Sequence, residues 1–266
     1  MTNMFYEGGI RCNGVNKNSS TSALVSIITV VFNDVLHIEA TIQSVLAQNY
    51  EHVEFIIVDG GSTDGTLDVI KKYENKIDYW VSERDDGIYY AMNRGIDLVS
   101  GEWINFMNSG DSFYNSSVIK NTFNYEKNND VDVIFGHHNV IYPYKKNIVV
   151  KAGDARLLWK GSQFCHQSSF IKSSLHKINK FNALHRIGAD FEFFYNAYKN
   201  NKHFKYKDIV VSTVSAGGLS DIKRVDSIVG RWNVIEKTHK VNFYYICLVL
   251  NEMIKMHVKK IVKLWR

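Results

Sequence analysis

The sequence predicts an α/β fold built on a doubly wound, mainly parallel β-sheet. Short β-branched runs recur through the first half of the chain, segments with helical spacing lie between them, and the connecting loops are short. The chain has 266 residues, of which 45% are hydrophobic and 13% aromatic. This composition suffices for one large domain with a substantial core.

Predicted strands and helices alternate from residue 24 onward. The run Val25–Val31 is apolar and β-branched, as in a buried parallel strand, and Asn33 and Asp34 follow it as turn and cap residues. Further strands are predicted at 53–58, 79–82, 103–107 and 131–136, and helices at 36–46, 67–73, 87–98 and 191–198. A hairpin is predicted over 140–150, around the only proline, Pro143.

The ends of the chain differ from its body. Residues 1–22 are polar and rich in Gly, Asn and Ser, which predicts a mobile leader, and 23–235 are predicted to form one domain. Residues 236–266 are predicted to form a basic amphipathic helix. Between Lys240 and Arg266 there are six basic residues and one acidic residue, a difference of +5, so the formal charge of +5 belongs to this tail.

Composition disfavours several classes of protein. Three widely spaced cysteines without a CxxC pair predict neither a disulfide framework nor a thiolate metal site, and favour a reducing, cytoplasmic setting. We find no signal-peptide pattern and no apolar run long enough to span a bilayer. The near-neutral body disfavours nucleic-acid binding, and residues 29–38 contain no glycine, which disfavours a dinucleotide-binding oxidoreductase.

Acidic loops follow three successive predicted strands. Asp59 follows the second strand, Asp85 and Asp86 the third, and Asp111 the fourth. Ligands of open α/β sheets bind outside the carboxyl ends of the strands, where such carboxylates can hold a ribose, a base or a divalent cation. Each residue alone is equally a turn residue, but three in sequential order favour a binding site.

Five stretches together resemble the family 2 glycosyltransferases, which have the GT-A fold, and most closely their bacterial members that build surface polysaccharides. The matching stretches are 26–33, 44–48, 58–66, 86–95 and 106–111. The resemblance implies a nucleotide-binding half that ends near residue 111. It also implies an inverting transfer of a hexose or N-acetylhexosamine from a UDP-sugar to a hydroxyl of a glycan acceptor, with a lipid-linked glycan preferred.

The resemblance also implies roles for individual residues. Asp59 would contact the uracil or ribose, and Asp111 would hold Mn²⁺ or Mg²⁺ against the diphosphate. Ser109 replaces the first acid of the family's DxD motif, so the metal is expected to bind mainly together with the donor. The other residues expected at the nucleotide-sugar site are Thr29, Val31, Asn33, Asp86, Arg94, Ser109 and His166.

Asp190 is the residue expected to act as the catalytic base. The stretch from Arg186 to Phe194 resembles the family element that carries this base, with Glu192 as the fallback, although Asp190 would equally suit a helix N-cap. His166 would touch the phosphates or the metal, or be a structural histidine, as is expected of His137, His138 and His185. The Gly217–Ser220 stretch resembles a loop that orders with the donor, or an ordinary turn.

The tail permits three interpretations. On a helical wheel of 246–266 the apolar residues occupy one face and the basic residues the other, which suits a helix in the interface of an anionic membrane. Packing on the protein's own body or on a second subunit are the alternatives. We therefore expect a cytoplasmic enzyme, peripheral at the inner face of the cell membrane. The rival is a nucleotide-sugar-binding or scaffold protein without turnover, which only Ser109 favours.

Overall fold

The computed structural model describes residues 5–17, 22–123, 128, 130–185, 187–218 and 222–264. Within these residues ten strands form one sheet, in the order β1-β4-β3-β2-β5-β9-β7-β10-β6, with β8 paired to β7. The strands are β1 Tyr6–Gly8, β2 Val25–Val31, β3 Val53–Asp59, β4 Tyr79–Ser82, β5 Trp103–Phe106, β6 Ser112–Phe113, β7 Val133–Ile141, β8 Ile148–Val150, β9 Ser169–Lys172 and β10 Phe204–Ser215.

Helices cover both faces of this sheet. The α-helices within the described residues are α1 Ile38–Leu46, α2 Thr66–Lys72, α3 Ile88–Leu98, α4 Val118–Phe123, α5 Ser173–Ile178, α6 Ala189–Lys199, α7 Arg224–Val234 and α8 His239–Leu264. Short 3₁₀ helices occupy Ile10–Asn13, Ala155–Lys160 and His166–Ser168.

The centre of the sheet is parallel, as the alternation of strands and helices predicts. Strands β4, β3, β2 and β5 lie side by side in parallel, and Val31 pairs with Asp59 where β2 and β3 end. Every residue of β2 is buried, which explains its continuous apolar character. Helix α3 approaches closely because Gly95 has no side chain: a Cβ there would lie 2.5 Å from Ile28 Cγ2.

The second half of the sheet is mixed. β9 pairs antiparallel with β5 and β7, whereas the long β10 runs parallel to β7 with register shifts between Tyr206 and Ser212. The predicted hairpin is present as the antiparallel pair of β7 and β8.

The prediction of a mobile leader over 1–22 is wrong for residues 5–17. β1 adds antiparallel to the edge of β4, and the Arg11 guanidinium contacts both the Glu54 carboxylate and the Leu98 carbonyl. The Lys17 ammonium lies 2.8 Å from the buried carboxylate of Asp78. These long-range contacts compensate for a polar composition that contributes little to the core. Residues 1–4 and 18–21 of the predicted leader lie outside the described residues.

The C-terminal helices form a pair on the body of the domain. α8 begins at His239, close to the predicted start of the tail, and its Tyr245 is fully buried and stacks on Trp232 of α7 with ring centroids 6.0 Å apart. Within the described residues no helix is both long and apolar enough to cross a membrane. Trp265 and Arg266 of the predicted helix lie outside the described residues.

Candidate active site

A cavity of about 900 Å³ opens beside the carboxyl ends of the central strands. Its walls come from the loop after β5, the segment 162–167, the start of α6 and one face of α7. Four residues expected from the sequence meet here, namely Ser109, Asp111, His166 and Asp190. The cavity thus joins segments that are up to 143 residues apart in sequence, from Ile88 to Arg231.

Asp190 lies in the first turn of α6 and presents an oriented carboxylate to the cavity. Its Oδ1 accepts a hydrogen bond of 3.0 Å from the Tyr89 hydroxyl, and its Oδ2 lies 3.2 Å from His166 Nδ1. Burial by itself raises the pKa of Asp190, but the contacts with His166 and Tyr89 outweigh it and hold the pKa at about 2. The carboxylate is therefore ionised at neutral pH and can accept a proton.

Asp111 follows β5 and has a different environment. Burial raises its pKa to about 6, and the hydrogen bond of 2.6 Å from Gln167 Nε2 to its Oδ2 offsets only part of this effect. The Cys165 thiol donates to Gln167 Oε1 at 2.6 Å, which turns the amide nitrogen of Gln167 toward Asp111. Asp111 is thus a half-buried carboxylate without an ion-pair partner among the described residues.

The oxygens around Asp111 fit a divalent cation that is shared with a ligand. The amide oxygen of Asn108 is buried and has no hydrogen-bond partner, and hard cations prefer such carboxylate and amide oxygens. Within the described residues no group of three His, Cys, Asp or Glu side chains converges. A cation held by Asp111 and Asn108 would therefore take its other ligands from phosphates and water.

Ser109 links the cavity to the loop after β2. Its hydroxyl donates a hydrogen bond of 2.6 Å to Asp34 Oδ2, and the Asp34 Oδ1 atom lies 2.5 Å from His37 Nδ1. The side chain that replaces the family's first acid is therefore a donor to a neighbouring carboxylate. Asp34, for which the sequence predicts only a turn or cap role, is a second acid close to this edge of the sheet.

Asp59 is fully buried at the end of β3 and does not line the cavity among the described residues. Its Oδ2 accepts from the Ser62 N–H at 2.9 Å and from the Ser82 hydroxyl at 2.6 Å, and its Oδ1 accepts from the Ser62 hydroxyl. The carboxylate therefore shapes the loop after β3. Asn33 braces the same loop, since its Oδ1 accepts from the Thr63 N–H at 2.9 Å.

Four further predicted residues lie away from the cavity. Thr29 and Val31 are buried within β2, where the Thr29 hydroxyl donates to the Met107 carbonyl at 2.7 Å. Asp86 is exposed in the loop after β4. Arg94 forms an ion pair with Glu83 instead of facing the cavity, a pairing that the motif does not reveal.

Of the other histidines named from the sequence, His137 and His185 have side-chain partners, whereas the buried Nδ1 of His138 has no hydrogen-bond partner. His137 Nδ1 accepts from the Ala152 N–H at 2.9 Å and its Nε2 lies 2.9 Å from Asp208, as expected of a structural histidine. His185 lies 2.7 Å from Glu192, the fallback base, and His138 lines the cavity. Gly217 and Gly218 line the cavity as well, whereas Leu219 and Ser220 lie outside the described residues.

Arg231 of α7 is a cavity residue that sequence reasoning missed. Its Nε is buried without a hydrogen-bond partner, its Nη1 donates to the Ser227 hydroxyl at 3.0 Å, and no ion pair engages it among the described residues. Burial lowers the pKa of this guanidinium, which nevertheless stays charged. Tyr89 was also missed, although it lies inside the matched stretch 86–95.

Comparison with known proteins identifies the family. The model of "Glycosyl transferase family 2" matches residues 26–190. A Mycobacterium bovis protein named PGL/p-HBAD biosynthesis glycosyltransferase is 30% identical over 209 residues, which are 74% of this chain and 79% of that protein.

Solved structures show the same fold. S. aureus TarS 1-349 in complex with UDP-GlcNAc superposes with a TM-score of 0.62 at 18% identity, over 79% of this chain and 65% of that one. The mannosyltransferase PcManGT from Pyrobaculum calidifontis, in complex with GDP-Man and Mn²⁺, gives a TM-score of 0.62 at 15% identity. The match covers 84% of this chain and 67% of that one. The sheet is thus that of the GT-A enzymes, and the chain belongs to glycosyl transferase family 2.

Proposed function

We propose that this glycosyltransferase moves a hexose or N-acetylhexosamine from a UDP-sugar onto an acceptor hydroxyl with inversion at the anomeric carbon. The observation that carries the proposal is the ionised Asp190 carboxylate, held by Tyr89 and His166 in the same cavity as Asp111 and Arg231. A proton acceptor and groups suited to a diphosphate therefore share one space.

The chemistry assigned to these residues is a single displacement. As the acceptor oxygen attacks the anomeric carbon, Asp190 takes the hydroxyl proton, the bond between the anomeric carbon and the diphosphate oxygen breaks, and UDP leaves with the bonding electrons. Tyr89 and His166 orient the Asp190 carboxylate. The unpaired Arg231 guanidinium offers positive charge to the departing diphosphate.

Metal dependence is part of the proposal. Asp111 and the Asn108 amide oxygen would hold Mn²⁺ or Mg²⁺. Such an ion, when bound, would offset the negative charge that develops on the leaving diphosphate. Gln167 keeps the Asp111 carboxylate oriented for this contact.

In this proposal the nucleoside would bind along the loops after β2, β3 and β4. Asn33 and Asp86 belong to these loops, and Asp59 is the last residue of β3. Thr29 and Val31, whose backbone groups would line the same pocket, lie in the C-terminal part of β2. The Asp59 carboxylate would reach the uracil or ribose by exchanging one of its loop hydrogen bonds for one to the ligand. Arg94 would reach the diphosphate only after leaving Glu83.

The proposed acceptor is a lipid-linked glycan at the cytoplasmic face of the membrane, in the building of a surface polysaccharide. The similarity to a relative named for PGL/p-HBAD biosynthesis supports a biosynthetic role. The exposed apolar side of α8 supports a place at a membrane surface.

The donor is tested by thermal melting of the protein with UDP, GDP, ADP and NAD⁺, each with and without Mn²⁺. A ligand at about a hundred times its Kd adds about 2.7 kcal/mol to stability. We expect a rise in Tm with UDP that Mn²⁺ enlarges. A rise with GDP alone would change the donor, and no rise with any nucleotide would contradict the proposal. A rise in Tm with UDP, without release of UDP from any UDP-sugar, would favour the scaffold alternative.

A further inference from the structure

Helix α8 carries apolar side chains on two opposite sides. The inner side holds Val241 and Tyr245, which are buried against the domain. On the opposite side, apolar side chains at helical spacing all face solvent and form what we term the outer stripe. Its members are Phe243 (72% exposed), Ile246, Leu250, Met253 and Ile254 (63% exposed). A helix that only packed on its own domain would carry polar residues on this outer side.

The domain does not cover the outer stripe because its contacts use the other sides of α8. Trp232 stacks on Tyr245 and donates through Nε1 to Asn242 at 3.0 Å. Tyr244 packs on Trp159 with ring centroids 5.6 Å apart. Single exposed apolar residues are ordinary, but a contiguous row marks an interaction surface.

The charge of the helix selects the kind of partner. From Lys240 to Arg266 the sequence holds six basic residues and one acidic residue, Glu252, and Glu252 is already paired with Lys255 and Arg224. On a helical wheel most of the basic residues lie on the face opposite the stripe, as in helices that lie in a bilayer interface, where long basic side chains reach the headgroups, and an anionic lipid surface neutralises their charge.

We propose that the outer stripe docks α8 in the interfacial region of a bilayer that contains anionic lipids. The apolar side chains enter the boundary of the acyl chains, and the basic residues of the C-terminal part of the helix contact lipid phosphates. The helix lies on the bilayer and does not cross it.

Docking in this orientation determines where the cavity lies relative to the bilayer. Ser227 and Arg231 of α7 line the cavity, and Trp232 of the same helix stacks on α8. Helix α7 therefore contacts both the docked helix and the cavity, which would lie near the bilayer surface and within reach of a lipid-linked acceptor. This last step rests on the proposed function, whereas the docking itself does not.

The test is sedimentation of the full chain with vesicles of phosphatidylcholine alone and of phosphatidylcholine mixed with phosphatidylglycerol. We expect binding to the anionic vesicles, weakened by high salt, and a loss of about tenfold or more in the double variant Leu250→Glu, Ile254→Glu. The matched control, Asn233→Glu with Asn251→Glu, adds the same charge at exposed positions off the stripe and should keep most of the binding.

Three results would overturn the proposal. They are no binding of the wild-type chain, equal binding to neutral and anionic vesicles, or a wild-type dimer in solution that the Leu250 and Ile254 changes convert to a monomer while vesicle binding stays unchanged. Thermal melting of the same variants confirms that they fold. Because vesicle binding needs no nucleotide, its failure is separable from a failure of UDP to raise the Tm.

Discussion

The Tyr89 hydroxyl donates a hydrogen bond of 3.0 Å to the Asp190 carboxylate, joining two residues that are 101 positions apart. Tyr89 belongs to α3, in the half that is expected to bind the nucleotide, and Asp190 to α6, in the acceptor half. The contact therefore fixes the proposed base relative to the donor side of the cavity. Tyr89 itself is held by packing against Phe181, with ring centroids 5.5 Å apart.

Replacing Tyr89 with Phe should slow transfer by about tenfold, because a hydrogen bond to a charged group contributes about 1.5–3 kcal/mol. The substitution keeps the ring and its packing on Phe181. Single-turnover rates measure the effect, and the UDP-dependent rise in Tm should stay as in the wild type. An unchanged rate would show that Tyr89 does not position Asp190.

The low pKa of Asp190 predicts a specific dependence of stability on pH. A carboxyl whose pKa falls from 3.8 to about 2 on folding stabilises the protein above pH 4, and this contribution disappears as the pH falls through about 2. Nearly two pKa units correspond to about 2 kcal/mol. Urea unfolding should therefore show that the difference in free energy of unfolding between the wild type and Asp190→Asn decreases by about this amount as the pH falls from 5. A constant difference would contradict the assigned environment.

Arg231→Gln should weaken UDP binding by about tenfold and leave the ligand-free protein equally or more stable. The wild-type guanidinium has a buried, unpartnered Nε and no ion pair among the described residues, so its removal relieves a desolvation cost. Nucleotide titration and urea unfolding measure the two effects. The control is Lys223→Gln, at an exposed position just before α7. A large loss of stability with unchanged UDP affinity would make Arg231 a structural residue.

Lys17→Gln should destabilise the protein by about 2 kcal/mol, because it removes a hydrogen-bonded cation from the buried Asp78 carboxylate. Lys17 also donates to the Val53 carbonyl at 2.8 Å. The midpoint of urea unfolding should fall with an unchanged slope. Lys76→Gln, at a nearby exposed position, serves as the control. Equal midpoints for both variants would restore the prediction of a mobile leader.

The central strands could be predicted because burial on both faces demands continuous apolar, β-branched runs, as in β2 and β3. β10 could not be predicted, because its residues, Phe204–Ser215, are a mixture of polar and apolar side chains that are mostly only partly buried. It also lies in the less regular half of the chain. β1 was missed because it is a short, mostly exposed edge strand. The segment after it is held by Arg11 and Lys17, whose partners are more than 35 residues away in sequence.

Within the candidate site, the motif loops located Ser109, Asp111, His166 and Asp190. The motifs did not predict how individual side chains are oriented. Arg94 matches the family stretch yet pairs with Glu83, and Asp59 is enclosed by its own loop. Arg231 carries no motif that we recognised, and only the packing of α7 brings it to the cavity.

The most direct test of the account compares Asp190→Asn with the wild type for UDP binding and for transfer in the same preparation. The amide keeps the shape of the carboxylate but cannot take a proton, and general base catalysis typically contributes a factor of about 10²–10⁴. We predict an undiminished rise of Tm with UDP and Mn²⁺, together with a loss of transfer by at least about a hundredfold. Transfer at the wild-type rate would show that Asp190 is not the base and would contradict the proposed mechanism.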